Sequence, residues 1–229
     1  MANKNPRKTV AAPGEGSRLS DVAYARILET LFERRIPAGA FVSQSDLVEL
    51  TGVPVGPLRD ALRVLEGEGV VTIHPRTGIQ FVKPGMELTR STYQFRSIIE
   101  SAAVATFADT ASDADIAELE TRHLKVIAQI ETEGFAPAFV AELEALENLL
   151  HGSIVASLDN VLIDSSYRRV RNYLRLLRLD RRMTGPLVLR SLREHAAILD
   201  ACRRRNPAEA VAALQAHFSA ALQRSLGLY

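Results

Sequence analysis

Apolar residues near the start of the chain recur at the spacing of an amphipathic helix. Ile27, Leu28 and Leu31 fall on one face of such a helix. We predict that this helix begins at about Leu19. It should end before Pro37, because proline and the glycine that soon follows it cannot continue a helix.

Two further helices and a hairpin follow the first helix. Ser43 and Asp46 form a capping-box-like start for a short second helix. A third helix is predicted at about residues 57–67. The β-rich runs 70–73 and 79–82 flank a turn that contains proline and glycine, which predicts a hairpin. This order of elements is that of a winged helix-turn-helix, a small fold used mostly to bind DNA.

The pattern changes at Lys83-Pro84-Gly85, and all later segments have helical spacing. The six predicted helices cover residues 87–109, 112–133, 136–157, 159–182, 184–204 and 206–226. We therefore predict a mainly α fold in which a winged helix-turn-helix precedes an all-α six-helix bundle. The predicted divisions are a disordered N-terminal arm at 1–17, the DNA-binding domain at 18–83, a hinge at 84–88 and a ligand-binding domain at 89–229.

Composition and charge narrow the class of protein. Hydrophobic residues make up 47% of the 229 residues, which is enough for a globular core. No apolar run reaches the roughly 18 residues of a membrane helix, and the single cysteine, Cys202, cannot form an internal disulfide. We expect a cytoplasmic protein without a membrane partner. The net charge is only +1, so an argument for DNA binding depends on where the charges lie.

The third helix divides its residues between two faces. Leu58, Leu62 and Leu65 share one face, and Arg59 and Arg63 lie on the opposite one. A recognition helix needs this division, because one side must pack on the domain while the basic side enters the major groove. Two such helices in a symmetric homodimer would read a palindromic operator in double-stranded DNA.

The stretch from Gly52 to Val70 resembles the signature of the GntR family of bacterial transcription regulators. The matching residues are Gly52, Val53, Pro57, Arg59, Ala61, Leu62, Leu65, Glu66 and Gly69. The family usually has Ser-Arg-Thr where this chain has Pro54-Val55-Gly56, so an arginine that often reads a base is missing. The expected DNA-contacting residues are Ser45, Val55, Gly56, Pro57, Arg59, Arg63, Arg76, Thr77 and Gly78.

Four residues of the bundle have the chemistry of a metal site. Glu147 and His151 are four residues apart and share a helical face, while His195 and His217 each lie in an apolar helix of their own. A divalent cation offers all four a common partner. Zinc suits this ligand set best, and nickel or manganese would also fit.

Two other interpretations of these residues stay open. One is a metal-dependent hydrolase with a nucleic-acid-binding domain, although the chain has no HExxH, Gly-x-Ser-x-Gly or phosphate-loop motif. The other is a structural bundle with buried, neutral histidines. His74 in the hairpin and His123 on a polar-looking helix are placed outside the metal set.

The bundle resembles the FCD effector-binding domain of the FadR-type branch of the GntR family, and its six helices resemble the VanR subgroup. That domain often carries Asp-x3-His and two further histidines about 22 residues apart. Here Glu147-x3-His151 takes the first place, and His195 and His217 are 22 residues apart. The resemblance implies a small carboxylate effector bound to the metal, with Arg96 as an arginine that holds it. We thus expect a repressor, not an enzyme. Separately, seven arginines crowd one predicted helix, and Arg171 is our choice among them for a second arginine that turns towards the metal and its ligand.

Overall fold

The structure is a computed structural model that describes residues 15–179 and 183–228. The chain divides into two compact units, 1–83 and 84–229. The first helix begins at Glu15, so the last three residues of the predicted arm are helical, and the rest of that arm lies outside the described residues.

The N-terminal unit is a three-helix domain with a small sheet. Its elements are α1 Glu15–Phe32, β1 Phe41–Val42, α2 Gln44–Thr51, α3 Val55–Gly67, β2 Val71–His74 and β3 Gly78–Phe81. The predicted capping box is present, since the Asp46 amide donates to Ser43 Oγ and the Ser43 amide donates to Asp46 Oδ2, both at 3.1 Å. The winged helix-turn-helix prediction is confirmed.

The sheet contains a strand that the sequence did not indicate. The strands are antiparallel in the order β1-β3-β2, and Val42 of β1 lies opposite Ile79 of β3. β1 is only two residues long, too short for an alternating pattern to be recognised. Gly78 permits the pairing, because its φ is +136° and a Cβ there would lie 2.8 Å from the Val42 carbonyl oxygen.

α3 begins two residues earlier than the sequence predicted. Pro54 precedes it in an extended conformation, and its carbonyl accepts the first helical hydrogen bond from Leu58 at 3.1 Å. Pro57 therefore falls within the first turn, where a missing amide hydrogen is tolerated. Val55 and Gly56 belong to the helix rather than to the turn before it.

The C-terminal unit contains the six predicted helices within the ranges that the structure describes. They are α4 Met86–Thr110, α5 Asp113–Glu133, α6 Phe139–Ala156, α7 Val161–Leu179, α8 Gly185–Arg203 and α9 Pro207–Ser225. α4 begins inside the segment predicted as a hinge, and the last three residues of the predicted fourth bundle helix lie outside the described residues.

The core of this unit joins α4, α6, α8 and α9. Val104, Leu150, Ile198 and Leu214 are fully buried in one cluster, and Cys202 packs there too. Burial raises the pKa of the Cys202 thiol to about 12, so this side chain is a core residue rather than a nucleophile. Among the helices in the described ranges, none combines the length and apolar character that a bilayer crossing requires.

Candidate metal centre and nucleic-acid interface

α3 presents a basic face opposite an apolar one, as the sequence predicted. Leu58, Leu62 and Leu65 are almost completely buried. Arg59 is exposed, and its Nε donates to Gln44 Oε1 on α2 at 3.0 Å. Arg63 is also exposed and lies 3.4 Å from an Asp60 carboxylate oxygen. Both guanidinium groups are thus available to a duplex that approaches this face.

The other predicted DNA contacts lie in the same unit. Val55, on the same stripe as Arg59, is 42% exposed. Ser45 lies in the first turn of α2, where its hydroxyl is 2.8 Å from that of Ser43. The remaining predicted contacts lie in the first turn of α3 or at the β2–β3 turn, and they are Gly56, Pro57, Arg76, Thr77 and Gly78. Arg76 has a φ of +65°, which is uncommon for a residue with a side chain.

In the C-terminal unit, the four predicted ligands converge from three helices. Glu147 and His151 lie on α6, His195 on α8 and His217 on α9. One potential ligand atom from each lies within 4.8 Å of the others. The histidines are buried, and the Glu147 side chain is 19% exposed. We call these four residues the histidine centre.

Two of the imidazoles are each oriented by a carboxylate. His151 Nδ1 lies 2.6 Å from Glu100 Oε2, and His217 Nδ1 lies 2.8 Å from Glu194 Oε2. A carboxylate accepts hydrogen bonds, so each Nδ1 carries a hydrogen, and in the neutral ring each Nε2 keeps a lone pair. Both lone pairs therefore face the centre, as they do in metal-binding histidines.

A histidine that the sequence placed outside the set supports the third imidazole. His123 on α5 is fully buried; its Nδ1 lies 2.7 Å from the Leu119 carbonyl oxygen and its Nε2 lies 3.3 Å from His195 Nδ1. The helix that carries it looked polar, but Leu119 and Val126 at i−4 and i+3 are buried on the same face. That spacing was the available signal for a buried histidine.

The sequence also gave no indication of the two supporting carboxylates. Burial alone would raise the pKa of Glu100, but Arg96 and His151 outweigh it and lower this pKa to about 2. Burial is likewise outweighed at Glu194, where Arg224 and His217 hold the pKa at about 2. Both groups are therefore charged acceptors.

For His195 and His217, burial favours the uncharged imidazole, which is the form that binds metal. Burial lowers the pKa of His195 well below its ordinary value and also lowers the pKa of His123 and His217. At Glu147 burial acts in the opposite direction, but Arg178 and the surrounding histidines hold its pKa well below the usual range. The centre thus offers one carboxylate and two imidazoles, His195 and His217, that burial keeps uncharged.

Within the described residues, the potential ligand atoms of the centre lie close together, and one of them has no hydrogen-bond partner. His195 Nε2 and His217 Nε2 are 3.4 Å apart, and His151 Nε2 has no hydrogen-bond partner. Glu147 Oε1 lies 3.4 Å from His195 Nε2 and can only accept. A bound cation would satisfy all of these acceptors, so the donor set fits a divalent metal.

A cavity opens beside the histidine centre. It encloses about 270 Å³ of space, its open mouth included. Its lining consists of Arg96, Glu147, Asn148, His151, Tyr167, Arg171, Leu174, Arg175 and Arg178. The sequence predicted Arg96 and Arg171 as effector contacts, and both line this cavity.

The arginines of the cavity differ in what they already contact. Arg96 Nε lies 2.5 Å from Glu100 Oε1, and its guanidinium stacks 4.5 Å from the centroid of the Phe218 ring. Arg178 contacts Glu147. Arg171 forms no hydrogen bond or ion pair with any of the side chains that the structure describes. It is therefore the cavity arginine whose charge is available to a ligand.

Comparison with known families now identifies the chain. The profile of the FCD domain matches residues 91–220, and that of the bacterial regulatory proteins of the gntR family matches residues 19–81. The chain belongs to the GntR family. It is a transcriptional regulator with an FCD domain.

Individual relatives agree with this assignment. The chain is 22% identical to YdhC of Bacillus subtilis, an HTH-type transcriptional regulator, over 86% of each sequence. A GntR regulator structure from Rhodococcus sp. RHA1 has a TM-score of 0.72 and 21% identity, covering 93% of this chain and 99% of that one. McbR/YncC from E. coli has a TM-score of 0.73 and 16% identity, with coverages of 92% and 98%. These similarities extend along nearly the whole chain.

Proposed function

We propose that this regulator is a homodimeric repressor whose operator binding is controlled by a small carboxylate held at a divalent metal in the FCD domain. One observation carries the proposal. Three imidazole lone pairs and a carboxylate converge beside an arginine-lined cavity. A similar structure is named the metal-free FCD domain of TM0439, from which we infer that metal occupancy can vary in such domains.

The charges around the histidine centre favour an anionic ligand once a cation is bound. Glu100 pairs with Arg96, and Glu194 pairs with Arg224, so these charges cancel. When the histidines are neutral, a divalent cation, Glu147 and the Arg178 guanidinium that pairs with Glu147 together leave a net charge of +2. The cation would act as a Lewis acid that accepts a carboxylate oxygen. Zinc is our first choice, with nickel and manganese as alternatives.

The cavity suggests how the effector is held. Arg171 has no ionic partner among the described side chains, so its guanidinium can form a bidentate pair with a carboxylate. Arg96 also lines the cavity, and we keep it as an effector contact in addition to its role in holding Glu100. Tyr167, whose hydroxyl donates to Glu100 Oε1 at 2.9 Å, also lines the cavity.

Regulation requires that the effector distinguish two arrangements of the dimer. We propose that two α3 helices read a palindromic operator and that effector binding changes their relative placement through the segment at 84–88. The effector must then bind the DNA-competent and DNA-incompetent arrangements with different affinities. Relief of repression follows if it prefers the incompetent one.

A thermal-shift screen tests the sensing half of the proposal. Small carboxylic acids are added to protein loaded with zinc, nickel or manganese, and a bound ligand raises the melting temperature by mass action. The shift should require both metal and acid. The operator half is tested by binding to DNA upstream of the protein's own gene, at moderate salt, against random duplex. No preference, with or without the acids, would sink the regulator mechanism.

Metal analysis separates the remaining interpretations. We expect about one equivalent of metal in the purified protein and its loss in the His151→Ala/His195→Ala variant. No metal in wild-type protein, even after incubation with excess zinc, would favour a purely structural bundle. The hydrolase alternative gains no support, because the described site offers four protein ligands, as sensing and structural sites do.

A further inference from the structure

We propose that His123 is a positioning residue of the histidine centre, which holds His195 in the tautomer whose Nε2 lone pair faces the other ligands. No sequence pattern assigned His123 a role, and the family resemblance does not include it. The inference rests on the proposed metal site for its consequence, but the hydrogen-bond direction that it asserts can be tested without metal.

The direction of the hydrogen bonds follows from a backbone carbonyl. The Leu119 oxygen can only accept, and it lies 2.7 Å from His123 Nδ1, so this nitrogen carries the hydrogen. In the neutral ring His123 Nε2 is then an acceptor. It lies 3.3 Å from His195 Nδ1, which must therefore be the donor. His195 keeps its lone pair on Nε2, the atom nearest Glu147 and His217.

We call the two hydrogen bonds that link the Leu119 carbonyl, His123 and His195 the relay. Packing holds the relay in place. Neither imidazole is more than 1% exposed, and the two rings meet edge to face with centroids 5.3 Å apart. His123 lies between Leu119 and Val126 on the buried face of α5. A rotated His123 ring would lose its bond to the carbonyl without water to replace it, so the relay has one favourable direction.

The chemistry of the acceptor matters as well as its position. His151 and His217 are oriented by carboxylates, whereas His195 is oriented by a neutral imidazole. A third carboxylate in the place of His123 would lower the positive charge that a divalent cation, Glu147 and Arg178 leave at the centre. His123 therefore fixes a tautomer without reducing the attraction of the loaded centre for an anion.

The test compares three variants of the full chain. His123→Phe keeps an aromatic ring without an acceptor, and His123→Gln places an amide oxygen near the position of Nε2. Val126→Ala, one turn away in a different hydrophobic cluster, is the control for packing loss. Zinc affinity, measured by competition with a chromophoric chelator, should fall about 10–100-fold in His123→Phe. It should stay within about threefold of wild type in the other two.

Nitrogen-15 NMR of the histidine rings in metal-free protein supplies a second measurement. In wild type and His123→Gln the hydrogen of His195 should be on Nδ1, and in His123→Phe it should be divided between the two nitrogens. A wild-type hydrogen on Nε2 overturns the proposal, and so does a folded His123→Phe with unchanged zinc affinity. Wild-type protein that binds no zinc refutes the metal site, while the NMR result still decides the relay.

Discussion

The proposed recognition surface of α3 and the proposed metal site at the histidine centre would bind their ligands through opposite physical arrangements. Arg63 is 75% exposed at its side chain, and Arg59 has one hydrogen bond, to Gln44. The ring nitrogens of His151, by contrast, lie in a buried site where Glu100 orients them. The polyanionic backbone of DNA attracts exposed, flexible arginine side chains over a distance. A small ligand instead requires binding groups that are held to within about 0.5 Å of the productive geometry. We therefore expect the surface of α3 to tolerate small displacements of its side chains, and we expect the histidine centre not to tolerate them.

The strongest test of this contrast removes one buried charge. Glu100→Gln keeps the volume of the side chain but leaves the Arg96 guanidinium without its anion. We expect a loss of about 3–5 kcal/mol in the free energy of unfolding, because an uncompensated charge remains buried. Urea denaturation of metal-free protein measures it.

An exposed pair provides the matched control for that variant. Glu118 and Arg122 are also four residues apart, but their side chains are 59% and 55% exposed. Glu118→Gln should change stability by less than about 0.5 kcal/mol. Equal losses of unfolding free energy at Glu100 and Glu118 would show that burial does not make the first ion pair more costly to break than the second.

Zinc should stabilise the histidine centre by an amount that its affinity sets. At a free concentration about 100 times the dissociation constant, the gain is about 2.7 kcal/mol. The melting temperature should fall on chelation in wild type and should not respond in the His151→Ala/His195→Ala variant. A double variant that zinc still stabilises equally would place the metal elsewhere.

Substitution of an exposed arginine on α3 should change the affinity for DNA rather than the stability of the fold. Arg59→Ala should weaken binding to the selected operator by about 1–3 kcal/mol, because it removes a base or phosphate contact. Electrophoretic mobility shifts at fixed salt measure this change, and Arg122→Ala in the other unit is the control. Unchanged affinity would remove Arg59 from the recognition surface.

The smallest predicted change concerns the effector alone. Arg171→Ala should weaken binding of the carboxylate found in the screen by roughly tenfold, or about 1.4 kcal/mol, without lowering the stability of the free protein. The exposed Arg168→Ala on the same helix should leave it unaffected. Calorimetric titration of zinc-loaded protein compares the two variants. Equal losses of carboxylate affinity would indicate that the arginines attract the anion through long-range electrostatics and that Arg171 makes no specific contact with it.

Much of the fold could be predicted because it depends on neighbours along the chain. The order of helices and the hairpin, the Ser43 capping box and the division of α3 into two faces all follow from local spacing. The start of α3 was wrong by two residues, and β1 was missed. A two-residue strand exists only because β3 offers it partners, which no local pattern records.

Residue type and spacing selected the four residues of the histidine centre. Arg96 was predicted from the resemblance to the FCD domain, and Arg171 from the crowding of arginines on one helix; both line the cavity. Only the tertiary structure decided their second contacts. Glu100 meets His151 across 51 residues of sequence, and His123 meets His195 across 72. Spacing along a chain determines which side chains share a helical face. Packing decides which faces of distant helices meet. It therefore also decides the tautomers of the histidines, the charges of the supporting carboxylates and, among the described residues, that Arg171 is the cavity arginine without an ionic partner.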